Sequence, residues 1–236
     1  MIKETSNISK TVRHKHWCIY QSSYDRGLEH LLKVWGDVRK AVPDAELHIF
    51  YGWQLFVKFY HNNPASMAWK DRMDKLMDQP GITHHGRVSQ PEMKKWIEKC
   101  GVWAYPTHFG EISCISAMKA QAWGAMPVVV NYAALNTTVK WGITVEGDIY
   151  EPETQKKYTE ALIAGLTDER QDEMRNPMMA WARNKFNWKN VAIDWSREFR
   201  YDELDGAMRI VLDKDPKMAR YLPVQLQQKH GMEETI

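Results

Sequence analysis

Short apolar runs at 17–20, 47–51, 82–85, 102–105 and 127–130 alternate with segments of helical period, and this alternation constrains the fold most tightly. Between the first two runs, Leu28, Leu31, Leu32, Trp35, Val38 and Val42 recur at helical spacing. They form one apolar stripe, which Pro43-Asp44 ends. Further helices are expected over 66–77, 90–99 and 115–123, with Met93, Trp96 and Ile97 facing inward; Gly52 and Pro80-Gly81 punctuate the pattern. Short apolar strands joined by single helices read as βαβ units of a parallel sheet covered on both faces. The expected fold is α/β: a single Rossmann-like doubly wound domain over 1–221, with a mostly parallel sheet and C-terminal helices. Those helices are best placed at 158–166, 173–184 and 191–199, and the polar stretch 222–236 is expected to be a frayed tail.

Composition excludes several classes of function. A net charge of +2 over 236 residues creates no field suited to nucleic acid or an anionic membrane. The basic cluster Arg13, His14, Lys15, His16 reads as a solvated entry to the first strand. No apolar run approaches the ~18 residues of a membrane helix, and the first residues lack a secretory core. The 3 cysteines, Cys18, Cys100 and Cys114, form no CxxC pair and read as buried free thiols of a cytoplasmic protein. No P-loop or GxGxxG fingerprint occurs, which argues against an ATPase or a nicotinamide site.

In an open parallel sheet, ligands sit at the carboxyl ends of the strands, where strand order reverses. The loops after Tyr20, Tyr51, His85, Tyr105 and Val130 should share that edge. After the first strand, Ser22, Ser23 and Arg26 flank a helix start, where amides and a guanidinium form an anion cradle. The same residues also suit a plain helix cap with Arg26 in solvent, and the sequence leaves both readings open. Gly52 permits close backbone approach by a ligand. His84 and His85 are neighbours on a strand and point to opposite faces, so no metal site is expected there. Glu111 precedes the helix at 115–123, whose first amides suit phosphate binding, although an acidic residue there also simply stabilises a helix.

Taken together, these segments resemble a known family. Ser22-Ser23-Tyr24-Asp25-Arg26-Gly27-Leu28-Glu29-His30-Leu31-Leu32 resembles the S-x-x-(K/R)-G-L-x-x-L-L opening of the donor domain of family 4 glycosyltransferases. Gly86-Arg87-Val88 resembles their G-x-V turn. Glu111 to Lys119, continuing through Ala120-Gln121-Ala122-Trp123-Gly124-Ala125-Met126-Pro127-Val128-Val129, resembles their E-x7-E element and the following helix and strand. The likeness covers roughly 17–145, in order and at matching spacing.

The resemblance implies the donor-binding, C-terminal half of a GT-B fold and a retaining, metal-independent transfer from a UDP- or GDP-sugar, with no cofactor. By that likeness Arg26 neutralises the donor diphosphate and the Gly86, Arg87, Val88 loop holds the base. Glu111 binds donor-sugar hydroxyls, and amides of Ser113, Cys114 and Ile115 cradle phosphate or sugar oxygens. Ser22, Ser23 and Gly52 complete the donor set. Lys119 stands where the family has its second glutamate, which usually holds the ribose. A lysine donates but cannot accept as a carboxylate does, so it is expected to supply positive charge instead. A chain of this length leaves no room for the acceptor domain of a GT-B enzyme. A fragment, a separate acceptor-domain chain, or a homodimer would account for that. The alternative function is a sugar-nucleotide-binding or assembly module without catalysis.

Overall fold

The computed structural model describes residues 11–198. The chain divides into two compact units, the first running to Trp181 and the second starting at Ala182. In the first unit the expected alternation is present. Strands β1 (His14–Tyr20), β2 (Glu46–Phe50), β3 (Ile82–Gly86), β4 (Cys100–Tyr105), β5 (Met126–Val130) and β6 (Ile143–Val145) form one 6-stranded sheet in the order β3-β2-β1-β4-β5-β6. Every adjacent pair is parallel. This is the doubly wound Rossmann-like arrangement that the sequence predicts.

The helices of this unit are α1 (Leu28–Ala41), α2 (Gln54–Tyr60), α3 (Pro64–Met77), α4 (Gln90–Lys99), α5 (Ile115–Trp123), α6 (Leu135–Thr138) and α7 (Pro152–Thr167). Helix α8 (Gln171–Lys185) runs across the boundary and α9 (Trp188–Glu198) follows. α1 packs against α3 and α7, and α4 packs against α5. The two groups therefore cover opposite faces of the sheet, as alternating crossovers demand. The core between them is apolar and aromatic: Trp35, Trp103, Tyr20, Tyr105 and Tyr158 are all fully buried. The stretch 222–236, expected to fray, lies outside the described residues.

Local sequence explains the boundaries. Asn63 Oδ1 caps α3 by accepting from Ser66 N at 3.0 Å, with Pro64 at the first position. Ser89 caps α4 in the same way. Gln121 is fully buried and fully used. Its amide donates to Ala117 O and Thr138 O, at 3.1 and 2.9 Å, and its carbonyl accepts from Lys140 N at 3.0 Å. It thereby fastens the β5–β6 crossover onto α5.

Three expectations change. Arg13 is not a solvated residue: its guanidinium donates to Cys100 O at 2.9 Å and to the carbonyls of Trp123 and Gly124. It satisfies orphan carbonyls at the ends of α4 and α5, and burial pulls its pKa down to about 9. Strand β2 ends at Phe50, because Tyr51 takes a left-handed φ of 136°. Helices α2 and α6 and strand β6 have no counterpart in the sequence reading. α2 buries none of its residues, so its apolar side chains Leu55, Phe56, Phe59 and Tyr60 do not enter the core, and β6 is only 3 residues long.

Two glycines test the packing argument in opposite directions. Gly27 sits at φ +112°, and a Cβ there would stand 2.3 Å from Pro106 O. Gly36 lies on the exposed side of α1 with nothing within 4 Å. Urea denaturation should show Gly27→Ala losing at least about 2 kcal/mol. Gly36→Ala should gain about 0.5–1 kcal/mol through helix propensity.

Candidate functional site

Parallel strands place all their carboxyl ends on one edge, and the order β3-β2-β1-β4-β5-β6 reverses between β1 and β4. The loops after these two strands leave the sheet in opposite directions and open a crevice. Gln21 Nε2 donates to Ser116 O at 3.3 Å, tying the β1 loop to the first turn of α5. Gly27, which must lack a Cβ, lets the start of α1 press against Pro106.

This contact brings together residues far apart in the chain. Arg26 Nη1 donates to Glu111 Oε1 at 3.1 Å, and Tyr105 OH donates to the same oxygen at 2.9 Å. Tyr105 OH lies 3.3 Å from Ser22 Oγ. The Arg26 guanidinium also stacks over Phe109, 4.1 Å from the ring centroid. The Glu111 side chain is 9% exposed and that of Arg26 is 35% exposed. For Arg26, burial is the largest single effect and opposes its charge, but Glu111, Tyr105 and Asp25 together outweigh it and raise its pKa. Of Glu111, Oε1 takes both donors, which leaves Oε2 for another partner. Arg26 is thus paired with Glu111 and stacked on Phe109 while a third of its side chain stays exposed.

Ser113, Cys114 and Ile115 lie where α5 begins. No side-chain cap hydrogen bond closes this helix start. Cys114 is buried, and burial pushes its thiol up to about 11. Ser23 likewise makes no side-chain cap at the 3₁₀ turn Tyr24–Arg26; its carbonyl accepts from Tyr20 OH at 2.8 Å.

That turn reaches a second group of expected residues. Tyr24 OH accepts from Gly52 N at 2.8 Å and hydrogen-bonds His84 Nε2. Gly86 O accepts from Tyr51 N at 3.0 Å. Gly52 takes φ +86°, and a Cβ there would stand 3.3 Å from Arg87 N. Arg87 is exposed, whereas Val88 packs against the core. Tyr24 therefore links the loop carrying Gly86, Arg87 and Val88 to the loop carrying Ser22, Ser23 and Arg26. Lys119 joins neither group directly. Its Nζ donates to Gln90 Oε1 at 2.6 Å, at the start of α4, and burial lowers its pKa.

Tyr105, Phe109 and Tyr24 are site neighbours that sequence reasoning passed over. Tyr105 carried one available signal: a buried tyrosine at a strand's carboxyl end must place its hydroxyl against a partner. Among the described residues, no cluster of three or more His, Cys, Asp or Glu is placed to hold a metal ion. No helix among them is long and apolar enough to cross a membrane.

Behind the β4 loop, His30 is buried, with Nε2 3.3 Å from His108 Nδ1. Burial, then His108, lowers its pKa from 6.5 to about 4. The folded chain thus refuses a proton that the unfolded chain accepts near pH 6.5. Stability contributed by neutral His30 is present above that pH and is lost as pH falls toward 4. The melting temperature of His30→Gln should therefore drop less between pH 7 and pH 5 than that of the parent. Equal drops would show that His30 already titrates normally.

The profile of the family described as glycosyl transferases group 1 matches residues 16–185. Among curated proteins, none matches. Of the solved structures, the GtfA/B complex aligns with a TM-score of 0.62 at 15% identity, covering 80% of this chain and 36% of that one. The Anabaena Alr3699/HepE protein in complex with UDP and glucose aligns with a TM-score of 0.53 at 14% identity, covering 77% and 47%. The catalytic domain of cholesterol-alpha-glucosyltransferase from Helicobacter pylori aligns with a TM-score of 0.52 at 17% identity, covering 72% and 98%. The chain thus spans well under half the length of the first of these, and identities this low speak for the fold alone, that of one Rossmann-like half of a GT-B enzyme. With the family profile spanning all of the sheet but the first two residues of β1, and both loops of the crevice, the chain belongs to the glycosyl transferases group 1 family.

Proposed function

We propose that this chain is the donor-binding, C-terminal-type half of a family 4 GT-B enzyme, transferring a sugar from a UDP- or GDP-sugar with retention and without a metal. The observation that carries the reading is the Arg26–Glu111 pair at the switch point, 3.1 Å apart. Arg26 has one N–H on Glu111 and others left for a diphosphate. As the bond from the anomeric carbon to the diphosphate breaks, negative charge grows on the phosphate oxygen. Arg26 and the amides of Ser113, Cys114 and Ile115 at the uncapped start of α5 receive that charge, the role that a metal plays elsewhere. Glu111 Oε2 accepts from a hydroxyl of the donor sugar, held in place by Tyr105 and Arg26 on the other oxygen. Gly52 and the loop of Gly86, Arg87 and Val88 give the base a backbone-lined seat. Lys119, paired with Gln90 two residues beyond Val88, serves the ribose side of the same groove.

The Alr3699/HepE neighbour, solved with UDP and glucose, supports a nucleotide-sugar ligand. Phe109, Ile112 and Ile115 are 38%, 97% and 56% exposed beside the site. This apolar rim suits closure against an acceptor-binding domain, of this polypeptide or another, or against a second copy of the chain. Buried free thiols at Cys18, Cys100 and Cys114 suit the cytoplasm. A second reading, a sugar-nucleotide-binding module without transfer, is favoured by Lys119 in the place of a carboxylate.

Calorimetric titration with UDP, GDP and their glucose and mannose conjugates, with and without EDTA, tests the reading. Binding should be indifferent to EDTA and fall about tenfold or more in Arg26→Ala and in Glu111→Ala. Equal affinity in both variants would remove the site. Lys119→Glu with unchanged affinity would take Lys119 out of it, and donor hydrolysis separates the enzyme from the binding module.

A further inference from the structure

A cavity of about 340 Å³ opens at the carboxyl ends of β4, β5 and β6, lined by residues that include Thr107, His108, Tyr132, Asp148 and Tyr150. Its size falls within the range of small-molecule sites, roughly 300–1,000 Å³. Thr107 and His108 share the β4 loop with Glu111, and Ala134 N donates to Glu111 O at 3.1 Å, so the loop carrying Tyr132 is anchored on the backbone of Glu111.

The lining has a specific chemistry. Tyr132 and Tyr150 are 45% and 59% exposed and present aromatic surface. Asp148 Oδ1 accepts from Tyr150 N at 3.0 Å, fixing the carboxylate and leaving Oδ2 as an acceptor. The state of His108 follows from the histidine behind it. His30 Nε2 faces His108 Nδ1, and His30 Nδ1 is buried with no partner. If His108 donated, His30 would have to carry its proton on that orphan nitrogen. A buried N–H without an acceptor is the costlier defect, compared with an idle lone pair. His30 therefore donates and His108 accepts at Nδ1, so the ring proton of His108 resides on Nε2, making that edge a donor. The rings of His30 and His108 also pack on Tyr150, with centroids 4.8 and 5.1 Å from it, fixing the wall. One fixed donor, one fixed acceptor and two aromatic faces suit a hydroxyl-rich ring with an apolar C–H face.

From this geometry we infer that the cavity is an acceptor subsite that takes a pyranose ring, so that this half of the fold recognises acceptor sugar as well as donor. The acceptor role rests on the donor reading above; the affinity for a saccharide does not. The acceptor hydroxyl that attacks is placed next to Glu111 by the shared loop, with Tyr132 or Tyr150 stacking on the ring and Asp148 and His108 holding its other hydroxyls.

Saturation-transfer NMR on the full chain with the methyl glycosides of glucose, galactose, mannose and N-acetylglucosamine, with and without UDP, tests this. At least one glycoside should receive saturation, and Tyr150→Ala and Asp148→Asn should each weaken its binding about tenfold. UDP affinity in these variants should change less than about twofold. Tyr132→Ala, at a half-exposed position, provides a second aromatic deletion that leaves the fold intact. Absence of transfer from every glycoside, or transfer unaltered in all three variants, would overturn the subsite while leaving the donor reading standing. Glycoside binding without any UDP binding would overturn the acceptor role together with the donor reading.

Discussion

Strand β1 pairs with β4 across the point where the sheet order reverses, and the site depends on how closely the loops beyond that pair approach each other. Gly27 sets that approach. Its left-handed backbone and missing Cβ let the start of α1 touch the Pro106 carbonyl, where any side chain would stand 2.3 Å from the oxygen. With that contact made, Arg26 on one loop meets Glu111 on the other, and the crevice acquires a fixed cation and a fixed carboxylate. The constraint is steric at its origin and electrostatic in its consequence.

Once formed, the pair is set in a partly dry environment that raises its value as recognition apparatus. Glu111 is nearly buried, and two donors meet on a single oxygen. Arg26 is held from the side by Phe109. A ligand therefore meets groups already oriented and needs little rearrangement to engage them. The neighbouring histidines serve a different end. His30 stays neutral because burial opposes its charge, and in that state it fixes the proton of His108. The β4 loop thus carries Glu111 of the charged pair and, three residues earlier, His108 of the aromatic cavity.

The strands and main helices were legible because their apolar residues answer to burial. Leu28, Leu31, Leu32, Trp35 and Val38 form the predicted stripe, and each is buried. α2 is only 7 residues long and buries nothing, so the i, i+4 pairs Leu55/Phe59 and Phe56/Tyr60 are too short a pattern to stand out. Arg13 looked like part of a solvated run because its carbonyl partners lie about a hundred residues away, at Cys100 and Trp123. The same limit applies to the site. Arg26 and Glu111 were each visible beside a helix start, but their pairing spans 85 residues and follows from topology alone. His30 and His108, 78 residues apart, left no local trace at all. Lys119 stood out against the family pattern, yet its actual partner, Gln90, belongs to another helix.

The most direct measurement is the nitrogen-15 NMR signal of the Arg26 guanidinium, assigned through its loss in Arg26→Lys, during titration with UDP and, separately, with uridine. A diphosphate seated on the Arg26–Glu111 pair predicts a large shift of that signal with UDP and almost none with uridine, in EDTA as well as without it. A signal that stays in place while UDP binds would show that the nucleotide lies elsewhere, and would contradict the assignment of the crevice as the donor site.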